Sequence, residues 1–122
     1  MGLSATARNN MLDCGLRNQT PTISVTHASL HTANPDPAGG SEVTGGSPAY
    51  ARKSITWSAA AAGSMAASNQ PVFDVPGSTT VTHVGFFSAV TAGTYMGMAD
   101  VTDETFGAQG TYTLTSTTVS LT

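Results

Sequence analysis

Thr79-Thr80-Val81-Thr82-His83-Val84-Gly85-Phe86-Phe87-Ser88 is the stretch from which the fold can be read. It is dense in β-branched and aromatic residues, which suit a pleated, partly buried surface. Alternation puts Val81, His83, Gly85 and Phe87 on one side and Thr82, Val84 and Phe86 on the other. Both sides carry bulk, so the strand is expected to be central, or to bridge a core and an interface. Val72 to Val75, closed by Pro76-Gly77, reads as a short strand just before it.

Working outward, Thr94 to Val101 and Thr111 to Leu121 read as further strands. In the last, Tyr112 and Leu114 have one parity and Val119 and Leu121 the other, which predicts a bulge or break near Ser116-Thr117. Upstream, Thr22 to Thr26 alternates as a half-buried strand that could run to about Leu30. Tyr50 to Trp57 reads as another, with Ala51, Ile55 and Trp57 on one side. Ala59 to Ala67 has helical propensity, but Gly63 and the serines make a small-residue loop or strand an equal alternative. Thr32 to Pro48 is a long loop punctuated by Pro and Gly, expected to dock on something. At the other end, Leu3, Ala7, Met11 and Cys14 fall at helical spacing, with Ser4 as cap and Gly15 as stop. The expected architecture is mainly β: a single β-sandwich or barrel-like domain of about six strands, residues 19–122, with one N-terminal helix, residues 1–18. Trp57, Phe73 and Phe87 are the expected core aromatics.

Of the 122 residues 9% are charged, against about 25% in ordinary soluble domains. Twenty Thr and 17 Ala give a surface of small neutral groups, which loses little on desolvation and suits a subunit of a large assembly. The net charge is −3 and the bases are Arg8, Arg17, Arg52 and Lys53, too few to neutralise several phosphates, so no nucleic-acid partner is expected. One cysteine, Cys14, makes no internal disulfide and reads as a buried thiol. No apolar run suits a membrane span and no signal peptide is read at the start, so synthesis in a cytoplasm, with no need of an oxidising compartment, is expected.

No nucleophile elbow, phosphate loop, zinc-helix motif or paired-cysteine motif is present. No catalytic residue, cofactor or metal is therefore assigned. His27 and His31 share a strand face too far apart for one metal. Asp100, Asp103 and Glu104 are oxygen ligands of the kind calcium takes, near an expected turn, but without a calcium-loop spacing. Glu42 and Arg52 flank the Gly45-Gly46-Ser47-Pro48 turn and could pair across it. A glycosidase pair of Asp36 and Glu42 is disfavoured for lack of supporting groups. The eight aromatics are read mainly as core, with Tyr95 and Tyr112 the pair expected to stay exposed and able to face a ligand.

A resemblance narrows these alternatives. It runs through residues 28–35 (Ala-Ser-Leu-His-Thr-Ala-Asn-Pro), 41–53 (Ser-Glu-Val-Thr-Gly-Gly-Ser-Pro-Ala-Tyr-Ala-Arg-Lys) and 55–57 (Ile-Thr-Trp). It continues through 71–76 (Pro-Val-Phe-Asp-Val-Pro), 81–85 (Val-Thr-His-Val-Gly), 93–97 (Gly-Thr-Tyr-Met-Gly) and 105–112 (Thr-Phe-Gly-Ala-Gln-Gly-Thr-Tyr). The chain resembles, over nearly its whole length, a family of small proteins from phages of actinobacteria described as tail-fibre or minor structural proteins; Ser58 to Asn69 departs most. The resemblance implies a non-enzymatic virion structural protein on the particle surface, in the tail or as capsid decoration, in contact with other virion proteins. The low charge, the narrow helix stripe and the long Gly/Pro loop favour a homo-oligomer that buries part of the helix or of the Thr32–Pro48 loop against a neighbour; the resemblance puts a trimer before a dimer. The alternative is a host-recognition module that binds glycan through Tyr95, Tyr112 or Trp57.

Overall fold

Residues 2–115 and 117–120 are described by a computed structural model. In chain order the elements are β1 (Gly2–Leu3), α1 (Ala5–Arg17), β2 (His27–His31), β3 (Lys53–Ser54), β4 (Ser64–Ala66), β5 (Val72–Val75), β6 (Thr79–Phe87), β7 (Tyr95–Phe106), β8 (Gly110–Thr113) and β9 (Thr118–Ser120). The fold is mainly β, as expected, with more strands than expected, several of them only two to four residues long. The main sheet is antiparallel in the order β1-β7-β6-β2-β3, and β4-β9 and β5-β8 form two-stranded ribbons.

β6 is central, between β2 and β7, as its two bulky faces require. Its alternation slips once. The pairing with β7 is irregular between Val81 and His83, so Val81 joins Val84 and Phe86 in the core. That corrects the simple period-two assignment, which put Val81 with His83 and Phe87. The core gathers Ala28, Leu30, Val43, Ile55, Phe73, Val75, Met96, Tyr112 and Leu114 around these residues. Phe73 and Phe87 are buried, as expected. Trp57 is only half-buried; it leans on Phe86, with ring centroids 6.1 Å apart, and its Nε1–H donates to the Val25 carbonyl.

Several boundaries differ from expectation. Thr22–Thr26 is not a strand: Ile23 and Val25 pack against the core, and backbone pairing starts at Thr26, which donates to the Phe87 carbonyl and accepts from the Ile55 N–H, just ahead of β2. Before Thr26, side chains take two of its carbonyls, Asn10 that of Ile23 and Trp57 that of Val25. In Tyr50–Trp57 the strand is reduced to Lys53 and Ser54, with an isolated bridge from Trp57 to Ala67, and Ala51 is exposed. Ala59–Ala67 is not helical. Ala62 (φ 51°) and Gly63 (φ 74°) form the two-residue turn of a small hairpin, with paired Ala61 and Ser64, that leads into β4. β7 runs on to Phe106, so Asp100, Asp103 and Glu104 lie along a strand, not at a turn. β8 and β9 are separate, consistent with the expected break; Ser116 and Leu121 lie outside the described residues.

α1 is capped as expected, the Ser4 hydroxyl accepting from the Ala7 N–H. It passes through Gly15 and ends at Asn18, whose left-handed conformation (φ 56°) caps it. Its packing keeps the expected stripe except at Met11. Leu3 belongs to β1, Ala7 is the helix's one buried residue, and Asn10 and Cys14 are half-buried, while Met11 is exposed. Leu12 and Leu16 point to solvent, 55% and 81% exposed.

Candidate functional site

Two places concentrate chemistry. The first lies on the face of the main sheet opposite the core. Ser29 and His31 alternate outward from Ala28 and Leu30 on β2, and Phe87 emerges beside them from β6. Phe87 stacks on His31 (centroids 6.2 Å, 12°) and tilts against Tyr95 (5.6 Å). The Arg52 guanidinium lies over the Phe87 ring, 3.6 Å from its centroid. Arg52 grips Glu42 with two parallel bonds, Nε to Oε2 and Nη2 to Oε1, both 2.9 Å. Its Nη1 donates to the carbonyls of Ala89 (3.1 Å) and Ala92 (2.7 Å) in the β6–β7 turn.

The Glu42–Arg52 pair read from the sequence is therefore formed, but it is not the exposed pair that reading supposed. The two side chains are 22% and 10% exposed. Tyr50 completes it, accepting from the Leu30 N–H (2.9 Å) and donating to Glu42 Oε2 (2.8 Å). Burial alone would raise the Glu42 pKa, but the Arg52 and Tyr50 hydrogen bonds outweigh it and hold the carboxyl below its usual range. Burial, with Glu42 beside it, pushes the Tyr50 phenol far up.

His31 is fully buried. Its Nδ1 lies 2.7 Å from the Gly40 carbonyl, which can only accept, so Nδ1 carries the proton and Nε2 accepts from Ser29 Oγ at 2.7 Å. Burial lowers the His31 pKa; the Gly40 carbonyl and Glu42 oppose this, and Arg52 and His83 add to it. Ser29 and His31 have the contact of a nucleophile and its base, but neither has any solvent exposure through which a substrate could arrive. Gly85 is needed above them: a Cβ there would lie 2.5 Å from His31 Nε2 and 2.6 Å from Ser29 Oγ. The Thr32–Pro48 loop docks here on its own sheet, through Val43, Pro35, the His31–Glu42 bridge and the Tyr95 hydroxyl, which donates to Asp36 Oδ1 at 2.5 Å. Asp36 and Glu42 thus serve separate donors. Sequence reasoning missed Tyr50, Ser29 and Phe87 as parts of this cluster; only the Glu42–Arg52 spacing hinted at it.

The second place is an open depression of about 510 Å³ between β7 and β8, lined by Asp100 to Glu104 and Tyr112 to Thr115. Of its charged residues, all three are acidic. Asp100 is 78% exposed at the side chain, with His83 Nε2 4.0 Å away. No group of three His, Cys, Asp or Glu among the described residues converges as a metal site. His27 and His31, on the main sheet, bond instead to Thr26 and to Ser29 and Gly40.

Tyr95 and Tyr112, expected to stay exposed, are 7% and 9% exposed, because their rings complete the loop clamp and the core. Neither offers a face for stacking. Tyr112 still borders the depression, and its hydroxyl has no hydrogen-bond partner among the described residues. Burial, then the nearby Glu104, raises its pKa.

No helix among the described residues is long and apolar enough to cross a membrane. No curated protein matches the chain. The sequence model of one family, described as podophage GP4 fiber I protein gp80, matches residues 2–122, nearly the whole chain. That description agrees with the fibre side of the resemblance and is not specific to phages of actinobacteria. A phage fibre protein associates with other virion components. With the match covering nearly its whole length, this chain belongs to the podophage GP4 fiber I protein gp80 family of phage fibre structural proteins.

Proposed function

We propose that the chain is a non-enzymatic building block of a fibre on the surface of the phage particle, self-associating as a trimer. The observation that carries this is the Arg52 clamp. One guanidinium ties the long loop (through Glu42), the sheet (through Phe87) and the β6–β7 turn (through Ala89 and Ala92) into one unit. Every polar group named in it has an internal partner, as rigidity requires and turnover does not. The loop is spent on its own sheet, so the helix is the element left for a neighbour. The segments shared with small proteins of actinobacterial phages support an actinobacterial host.

Labelling the protein on intact particles and imaging them tests the reading. Label on fibres, with a trimer mass by light scattering, is the expected result. Label spread over the capsid would make it a decoration protein, and absence from purified particles would end the proposal.

A further inference from the structure

α1 packs inward with Ala7, a small residue, and outward with large ones. Arg8, Leu12 and Leu16 are spaced by four, so they form one ridge. Arg17 follows Leu16, its side chain 70% exposed and paired only with the half-exposed Asp13. Short helices are marginal in water, and this one has a single buried residue to hold it. Large apolar side chains displayed this way mark an interaction surface.

The depression between β7 and β8 is its chemical complement. Asp100, Asp103 and Glu104 supply charge of the opposite sign, with no base among the lining residues. Val101, Tyr112 and Leu114 supply apolar surface, and the Tyr112 hydroxyl can accept from a guanidinium. With Arg52 consumed in the clamp, α1 carries two of the chain's three remaining bases. A volume of about 510 Å³ admits several side chains but not a helix, so the ridge enters and the helix body stays outside.

We infer that the Arg8–Leu12–Leu16 ridge of α1 docks into the β7–β8 depression of a second copy of this chain. Ridge and depression are different surfaces, so the contact is head-to-tail, the kind that closes a threefold ring when its rotation is 120°. This rests on the self-association proposed above and specifies its interface.

Light scattering over a concentration series reads the assembly, and thermal melting checks folding. L12E/L16E changes two exposed residues and should fold normally, as should D103R/E104R. Each should raise the dissociation constant about a hundredfold, as loss of two buried leucines or of the facing charges implies. Combining R8E/R17E with D103R/E104R in one chain should restore assembly. In a C14S background, chains carrying L16C mixed with chains carrying T113C should form a mixed disulfide.

A wild-type monomer at high concentration would defeat self-association itself. A wild-type oligomer unaffected by either pair of changes would defeat this interface alone. Disulfide dimers of L16C chains by themselves would show ridge against ridge and overturn it. So would a depression that binds host-cell saccharide, lost in D103R/E104R, while assembly stays intact.

Discussion

The Arg52 clamp and the β7–β8 depression are both built from carboxylates and tyrosines, yet they are opposites. In the clamp, Glu42 meets two Arg52 nitrogens and the Tyr50 hydroxyl, and Tyr95 finds Asp36. In the depression, among the described residues, the acids' nearest base is His83, 4.0 Å from Asp100, and the Tyr112 hydroxyl has no hydrogen-bond partner. A saturated polar cluster holds a fold together; an unsaturated one facing solvent is free to hold something else. The same contrast separates the docked Thr32–Pro48 loop from α1, whose leucines face outward.

Breaking the clamp should have the largest effect. Arg52→Ala leaves Glu42 charged and mostly buried without its partner, and should destabilise by about 3–5 kcal/mol in denaturant titration. Glu42→Gln, which keeps a neutral acceptor, should cost less. If Arg52→Ala melts like wild type, the clamp is not what holds the loop. Next comes Trp57→Ala. Half-burial places it below the ~3–5 kcal/mol typical of a fully buried aromatic, but an unchanged melting temperature would contradict its packing on Phe86.

Acid should act on the clamp in two stages. His31 is depressed from its ordinary 6.5, so the unfolded chain takes up its proton first. Its contribution is complete above about pH 6.5 and is lost as pH falls through the folded value. Glu42 is depressed from 4.5, and its contribution is lost further down, as pH falls below 4.5 through the folded value. Melting temperature against pH should show both declines, and His31→Gln should remove the first while leaving the second. At the other region, stability should barely move. Leu16→Ser should stay within about 0.5 kcal/mol of wild type at protein concentrations too low for assembly. Smallest of all is EDTA, for which no shift in melting temperature is expected; a large drop would point to Asp100, Asp103 and Glu104.

Local patterns were legible. The β6 and β5 strands follow from alternation and composition, the helix start from Ser4, and the interruption before β9 from the parity change after Leu114. Even Thr22–Thr26 alternates as read, with Ile23 and Val25 turned inward, though backbone pairing reaches it at Thr26 alone among its described residues. The Glu42–Arg52 pairing was visible because ten residues and a Gly/Pro turn separate the two. The partners that make it a clamp were not, since Ala89 and Ala92 lie 37 and 40 residues from Arg52.

By itself, the sequence determined what depends on near neighbours: period two, turn chemistry, a capping hydroxyl and a low charge density. Tertiary structure decided which side of each element is inside. In α1, four-residue spacing aligns Ala7 with Met11 as readily as Arg8 with Leu12 and Leu16, and no local rule chooses between them. The choice falls to β1 pairing with Gly97 and Met98, the Ser4 N–H bonding to Met96, and Asn10 holding Ile23, which together press Ala7 onto the sheet and turn the leucines out. Likewise a tyrosine's hydroxyl tolerates water but does not require it, so the burial of Tyr95 and Tyr112 was settled by Asp36, Phe87 and the core residues brought to them from distant parts of the chain.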